Sequence, residues 1–357
     1  MTTPGRFHAL DALRGVAALS VVLWHWQHFF APLNPRGAAF AIERQPLFDL
    51  FAFFYRHGHT AVQLFFCLSG FIFFWLYADP VARGGISFGR FAVLRMSRLY
   101  PLHLATLLVV AALQPLYLGL TGHYFVYPAN DAYHFLLNLG FISAWGMEKG
   151  FSFNAPIWSV SVEVLMYGAF FLFCRRAGRH TGAMAAAVLA GWLLQKWNGP
   201  IGAGMMFFFL GGIAFSAYTR AVKSGGAWLL ACTPVAWVFA VWSGRFETFS
   251  VIVFPMTVLA LALLESRHQG LGRRWSWLGD ISYSSYLLHF PLQLAAATLT
   301  AKLAIAQDVF YSPWCLLLFF ATLLALSMAS HHGFEIPVQR TLRRRFAPSR
   351  SGQGVPG

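Results

Sequence analysis

The chain alternates long apolar runs with short polar interruptions from one end to the other. The runs are roughly 18 to 23 residues long, and a helix of that length crosses the about 30 Å of hydrocarbon in a bilayer. The pattern therefore predicts an all-α polytopic membrane protein with about ten transmembrane helices. The predicted helices cover residues 8–30, 59–78, 98–120, 154–175, 181–198, 200–219, 226–243, 248–265, 280–300 and 312–331.

Composition excludes a single water-soluble domain. The 357 residues are 58% hydrophobic and 11% charged, with a mean hydropathy of +0.58, whereas soluble domains carry about 25% charged residues. We expect one membrane domain at 1–345, followed by a disordered basic tail at 346–357. The four cysteines lie in separate apolar runs without CxxC spacing, so neither a disulfide framework nor a metal site is predicted.

The basic residues predict which way the helices run. Eighteen of the 26 Lys and Arg residues fall in one set of loops, together with both termini, and seven fall in the opposite set. The positive-inside rule then places both termini in the cytoplasm. The net charge of +14 follows from this bias and from attraction to anionic lipid, without a nucleic-acid partner. An excess of 22 Arg over 4 Lys suggests a GC-rich bacterium, and hence its inner membrane.

The first apolar run contains three ionisable residues, Asp11, Arg14 and His25. Each helical residue turns the chain by about 100°, so all three project towards one side of an ideal helix. Burying such groups is costly unless they have partners or line a wet cavity. The stripe therefore predicts a functional site, although a single histidine can also serve as a hydrogen-bonded packing residue.

Six strings, taken together and in order, resemble the membrane-bound acyltransferase family 3. Members of that family move acyl groups, commonly acetyl, onto hydroxyls of sugars and other extracytoplasmic acceptors. The resemblance spans essentially the whole chain and implies an O-acyltransferase that uses cytoplasmic acetyl-CoA or another acyl-CoA as co-substrate, with no permanently bound cofactor. The strings are LDALRGVAALSVVLWH (10–25), FFCLSGFIFF (65–74), RMSRLYPLH (95–103), PIWSVSVEVLMY (156–167), LGDISYSSYLLHFPL (278–292) and FEIPVQRTLRRR (334–345).

The chain departs from this family in two respects. Val164 follows Glu163, where many relatives carry a second acidic residue, so a role that needs two carboxylates is in doubt. We expect a stand-alone transmembrane domain, without the esterase-like extracytoplasmic domain that some members append. The implied acceptor is a hydroxyl of an extracytoplasmic sugar, polysaccharide or lipid-linked glycan, and the long loops at 31–58 and 121–153 are expected to recognise it.

Residues of the first and third predicted helices suggest how the donor binds. His25, about 16 Å further out than Arg14 on an ideal helix, is the expected general base, since imidazole can take a hydroxyl proton at neutral pH. Arg14 can bind donor phosphate or pair with Asp11. Arg95 and Arg98 begin the predicted third helix and can bind phosphate bidentately, or serve only as positive-inside residues.

Other candidates lie on the remaining motifs. Glu163 can orient His25, hydrogen-bond the sugar, or bind Ser159 or Tyr167 on its own helix. Trp158 can stack on a sugar or join the interfacial aromatic belt. Ser69 invites a nucleophile role, but no base lies at a short spacing, and small residues are common where membrane helices pack.

Tyr283 and His289 lie on the predicted ninth helix, where Pro291 can free backbone carbonyls. They can line a donor tunnel or pack between helices. Two other functions remain open on the residues alone. A proton-coupled secondary transporter could use the Asp11, Arg14 and His25 stripe, although the chain shows no duplicated halves. An intramembrane serine protease would also need a catalytic His and an oxyanion donor, which the CLSGF string alone does not supply.

Overall fold

The computed structural model describes residues 5–31, 40–224 and 226–347. These residues form helices and connecting turns, with no β-strand among them. The α-helices are α1 (His8–Trp24), α2 (Phe48–His57), α3 (Ala61–Leu76), α4 (Ala78–Ala82), α5 (Phe88–Thr121), α6 (Ala132–Leu139), α7 (Ile157–Ala177), α8 (Thr181–Leu194), α9 (Gly199–Ser224), α10 (Ala227–Trp242), α11 (Phe246–Arg267), α12 (Ser276–Asp280), α13 (Ser282–Lys302), α14 (Pro313–Ser330) and α15 (Ile336–Phe346).

Each of the ten predicted segments coincides with one of these helices, which confirms the all-α class. Within the described residues, six helical segments are long and apolar enough to cross a membrane. The number of spans and the side of each terminus stay predictions. The six segments are Phe48–Leu76, Phe88–Thr121, Ile157–Ala177, Gly199–Ser224, Phe246–Arg267 and Pro313–Phe346.

Three boundaries differ from the prediction. The third predicted segment begins ten residues early, at Phe88, because the hydroxyl of Ser87 caps α5 by accepting the Arg90 backbone N–H at 3.3 Å. The predicted loops at 31–58 and 121–153 contain α2 and α6. The last predicted segment continues through a π-helical turn, His331–Glu335, into α15. Most of the predicted tail lies outside the described residues.

The start of α1 is held by a carboxylate from another helix. Phe7 precedes α1 and offers no side-chain cap, but Glu265 of α11 accepts the backbone N–H groups of His8 and Ala9 at 2.8 and 2.9 Å. Two free donors of the helix terminus are thereby satisfied, next to the favourable positive end of its dipole. This contact fixes the end of α1 that carries Asp11 and Arg14.

Close packing fixes α3 in the same region. A Cβ atom at Gly70 would lie 1.8 Å from the Phe208 carbonyl oxygen of α9, so only glycine allows this approach of the two backbones. Ser69, the preceding residue, projects about 100° away from Gly70 on α3 and donates to Glu163 of α7. The contact between α3 and α9 therefore determines where the Ser69 hydroxyl lies.

Candidate active site

Two cavities adjoin one another between α1, α3, α5 and α13. We call the first the central cavity, of about 120 Å³, and the second, of about 320 Å³, the arginine cavity. Because they share part of their lining, the two spaces are neighbouring sections of one passage. The shared residues are Asp11, Arg14, Ile72, Arg95, Arg98 and Tyr283.

Arginines dominate the wider section. Five of them line the arginine cavity, against three carboxylates, and the carboxylates are already engaged. Asp11 pairs with Arg6 at 2.6 Å and with Arg14 at 3.2 Å, and Asp280 also pairs with Arg6. Glu335 accepts hydrogen bonds from two serine hydroxyls. The cavity therefore keeps a positive field suited to an anion.

Arg14 of α1 is hydrogen-bonded to residues of α12 and α13. In addition to its ion pair with Asp11, its guanidinium donates to the Ser282 hydroxyl at 3.0 Å and to the Gly279 carbonyl at 2.7 Å. A Cβ atom at Gly279 would lie 2.3 Å from the Asp11 carbonyl oxygen, so glycine allows α12 to approach α1 here. The predicted Asp11–Arg14 pair is confirmed.

The structure places Arg95 and Arg98 two to three turns inside α5 rather than at its beginning, since the helix starts earlier than predicted. Arg95 is 9% exposed, donates to the Tyr77 hydroxyl and lies 5.2 Å from the ring centre of Phe73. Arg98 is exposed and makes no ion pair with any described residue. Both guanidiniums remain available to an anionic ligand.

The central cavity is smaller, and Glu163 is the carboxylate that lines it alone, since Asp11 also lines the arginine cavity. Glu163 of α7 accepts a hydrogen bond from the Ser69 hydroxyl of α3 at 2.8 Å. Tyr167, one turn further along α7, also interacts with Glu163. At the other side of the cavity, the hydroxyls of Ser159 and Tyr286 lie 2.7 Å apart. The hydroxyls among these groups can donate a hydrogen bond to an acyl carbonyl in this cavity.

The histidines form a separate cluster. Nδ1 of His25 and Nε2 of His289 lie 2.9 Å apart and share a hydrogen bond, and the His28 ring stacks on that of His25 with centroids 4.4 Å apart. Gln293 donates to the His25 carbonyl at 2.9 Å. Neither His25 nor His289 is among the residues that line the two cavities. Tyr286 connects the regions, since its ring lies 6.1 Å from that of His289.

The structure thus brings together Asp11, Arg14, Arg95, Arg98, Ser69, Glu163 and Tyr283, and pairs His25 with His289. Glu163 hydrogen-bonds Ser69 of α3 and not the imidazole of His25. The helical wheel of α1 could not foresee this arrangement, because α1 ends at Trp24 and His25 begins a 3₁₀ turn. Trp158 lies outside the cavities, with its ring 6.3 Å from that of Phe151.

Sequence reasoning missed three residues of this site, Tyr77, Tyr286 and Arg343. Tyr286 lies in the SYSSYLLH string, one helical turn before His289, so the spacing alone could have indicated it. Tyr77 and Arg343 come from segments distant in the chain. Their place at the arginine cavity depends on tertiary packing that no local pattern records.

The chain is similar to known acyltransferases. The family model described as an acyltransferase domain matches residues 7–331. A Streptomyces mycarofaciens protein named acyltransferase MdmB is 27% identical over 80% of this chain and 78% of its own. Protein 2 in picA locus, from Rhizobium radiobacter, is 31% identical over 52% of this chain and 91% of its own. No solved structure matches. The chain therefore belongs to the membrane-bound acyltransferase family 3 and is an acyltransferase.

Proposed function

We propose that this protein is a bacterial inner-membrane O-acyltransferase. It takes an acetyl or other short acyl group from cytoplasmic acyl-CoA and delivers it to a hydroxyl of an extracytoplasmic sugar, polysaccharide or lipid-linked glycan. Both termini are cytoplasmic in this arrangement, and ten helices span the membrane. His25 is the general base.

The observation that carries the proposal is the shape and charge of the passage. Arg95 and Arg98, which line both sections, have no carboxylate partner among the described residues, and the narrow section continues from them past apolar side chains to Ser69 and Glu163. An acyl-CoA has the same polarity, with phosphates at one end and an acyl thioester at the other. The planar guanidinium of an arginine can donate two parallel hydrogen bonds to phosphate oxygens.

The chemistry follows from this placement. His25 takes the proton of the acceptor hydroxyl, and the resulting oxygen nucleophile attacks the thioester carbonyl. The carbon–sulfur bond then breaks, and the CoA thiolate leaves with the proton from His25. Nδ1 of His25 is the nitrogen that faces His289, so Nε2 would move the proton. The route from Glu163 to His25 passes Tyr286, whose side chain we expect to turn as the acceptor enters.

Binding of CoA to the purified protein in detergent tests the donor assignment. Arg95→Gln and Arg98→Gln should each weaken CoA binding about tenfold or more, as expected for losing a charge-assisted hydrogen bond. Arg176→Gln is the matched control, because Arg176 is exposed near the end of α7 and lines neither cavity. Unchanged affinity in both arginine variants would contradict the phosphate assignment.

A further inference from the structure

Part of the arginine cavity is built by residues that follow the matched acyltransferase domain. The match ends at residue 331, whereas the cavity is also lined by Glu335, Ile336, Gln339 and Arg343. Three of these residues lie on α15 and are separated by three or four positions, so they share one face of the helix. This face of α15 closes the side of the cavity next to α5.

The π-helical turn at His331–Glu335 directs this face inwards. A π turn adds a residue to the helix and rotates everything that follows, and such turns are frequent at functional sites. Glu335, at its end, accepts the hydroxyls of Ser284 at 2.6 Å and Ser330 at 2.8 Å. These bonds tie the turn to α13 and hold α15 in place. Glu335 is therefore engaged with hydroxyls rather than with an arginine.

Arg343 lacks a strong partner within the described chain. Its guanidinium contacts the Ser97 hydroxyl and the Leu94 carbonyl, both at 3.4 Å, and makes no ion pair with a described residue. It lies within electrostatic range of Arg95 and Arg98. The three positively charged guanidiniums repel one another, and an anion bound between them offsets this electrostatic repulsion.

We propose that Arg343 completes the donor site by binding a phosphate of the nucleotide part of acyl-CoA, and that α15 is an essential wall of that site. The inference rests on the proposed donor, since it assigns a third phosphate ligand to the same cavity. Arg343 lines the arginine cavity and not the central cavity, so it is expected to bind the nucleotide end and not the pantetheine arm.

Binding of CoA, 3′-dephospho-CoA and pantetheine to the purified full-length protein tests this. Arg343→Gln should weaken CoA binding about ten- to hundredfold and leave pantetheine binding unchanged. The CoA affinity of Arg343→Lys, which keeps the charge but not the bidentate guanidinium geometry, should lie between the affinities of the wild type and Arg343→Gln. Arg344→Gln is the matched control, because Arg344 is the next residue, is exposed and does not line the cavity.

The outcomes are separable. If the wild type binds no CoA, the proposed function fails. If the wild type binds CoA and Arg343→Gln and Arg343→Lys bind it equally well, the inference about Arg343 is wrong while the proposed function stands. A lipid phosphate could also pair with this arginine. If Arg343→Gln loses co-purifying phosphatidylglycerol with CoA affinity unchanged, the residue binds lipid and its own assignment to the donor site is overturned.

Discussion

Glu163 of α7 and Ser69 of α3 form a hydrogen bond in the lining of the central cavity. A serine that donates to a carboxylate can be read as an activated nucleophile or as a fixed dipole near the thioester. Direct transfer, with the acceptor hydroxyl attacking the thioester, needs no covalent serine. The two interpretations therefore predict different effects of substituting Ser69 and Glu163.

We expect Ser69→Ala to keep acyl transfer within about tenfold of the wild type, since direct transfer uses the Ser69 hydroxyl only as a hydrogen-bond donor to Glu163, whose charge remains. Glu163→Gln removes the charge with which Glu163 can accept a hydrogen bond from the acceptor sugar, and it should reduce kcat about a hundredfold, as expected for losing a charge-assisted hydrogen bond. The rate of CoA release in the presence of acceptor measures both. An inactive Ser69→Ala that folds normally, together with acetyl label bound to the wild-type protein, would instead support an acyl-serine.

At the scale of single residues, the sequence predicts pairs that are close in the chain and fails for pairs that are distant. Asp11 and Arg14 are three residues apart on one helix, and their ion pair is present. His25 and His289 are 264 residues apart, and no periodicity could have paired them. The hydrogen bond between Ser69 and Glu163 also joins residues that are distant in the chain, so the sequence could not predict it for the same reason.

At the scale of helices, apolar periodicity located α1, α3, α5, α7 and α13, which line the central cavity, but not α15, which lines the arginine cavity. The sequence could not show where α5 begins or that α15 continues α14, because caps and a π turn depend on single residues. It also could not show which helices touch. Gly70, in an apolar run where it could pass for a neutral packing residue, proves to be the point where α3 meets α9.

Gly70→Ala should destabilise the fold, because its methyl group would lie 1.8 Å from the Phe208 carbonyl oxygen. Overpacking of this kind costs about 1–3 kcal/mol of unfolding free energy. Thermal unfolding of the purified protein in detergent measures it. Gly168→Ala, on α7, is the control, since a Cβ atom there meets nothing within 4 Å and alanine favours a helix. Equal melting temperatures for the two variants would contradict the close contact.

At the scale of the whole molecule, the site lies inside a helical membrane protein and its charge is uneven. Arg6 and Arg343 line the arginine cavity only, whereas the His25–His289 pair lies next to Tyr286 of the central cavity. The basic loops are concentrated on the same side as Arg95 and Arg98 in the predicted topology. A donor from the cytoplasm and an acceptor from the opposite compartment would then approach from opposite ends.

Reporter fusions test this orientation. A fusion after residue 85, in the connection between α4 and α5, should report a cytoplasmic location, because the surrounding loops are rich in arginine. A fusion within 146–151, in the connection between α6 and α7, should report the opposite side and serves as the internal control. An extracytoplasmic signal from the first fusion would invert the proposed path of the acyl group.

The most direct test of the account uses membrane vesicles and labelled acetyl-CoA. The donor carries several phosphates and does not cross a bilayer unaided, so only everted vesicles expose the arginine cavity to it. We predict that everted vesicles containing the wild-type protein transfer label to a glycan or lipid-linked fraction, and that right-side-out vesicles and the His25→Ala variant do not. Label transfer by right-side-out vesicles, or by His25→Ala at the wild-type rate, would contradict the account.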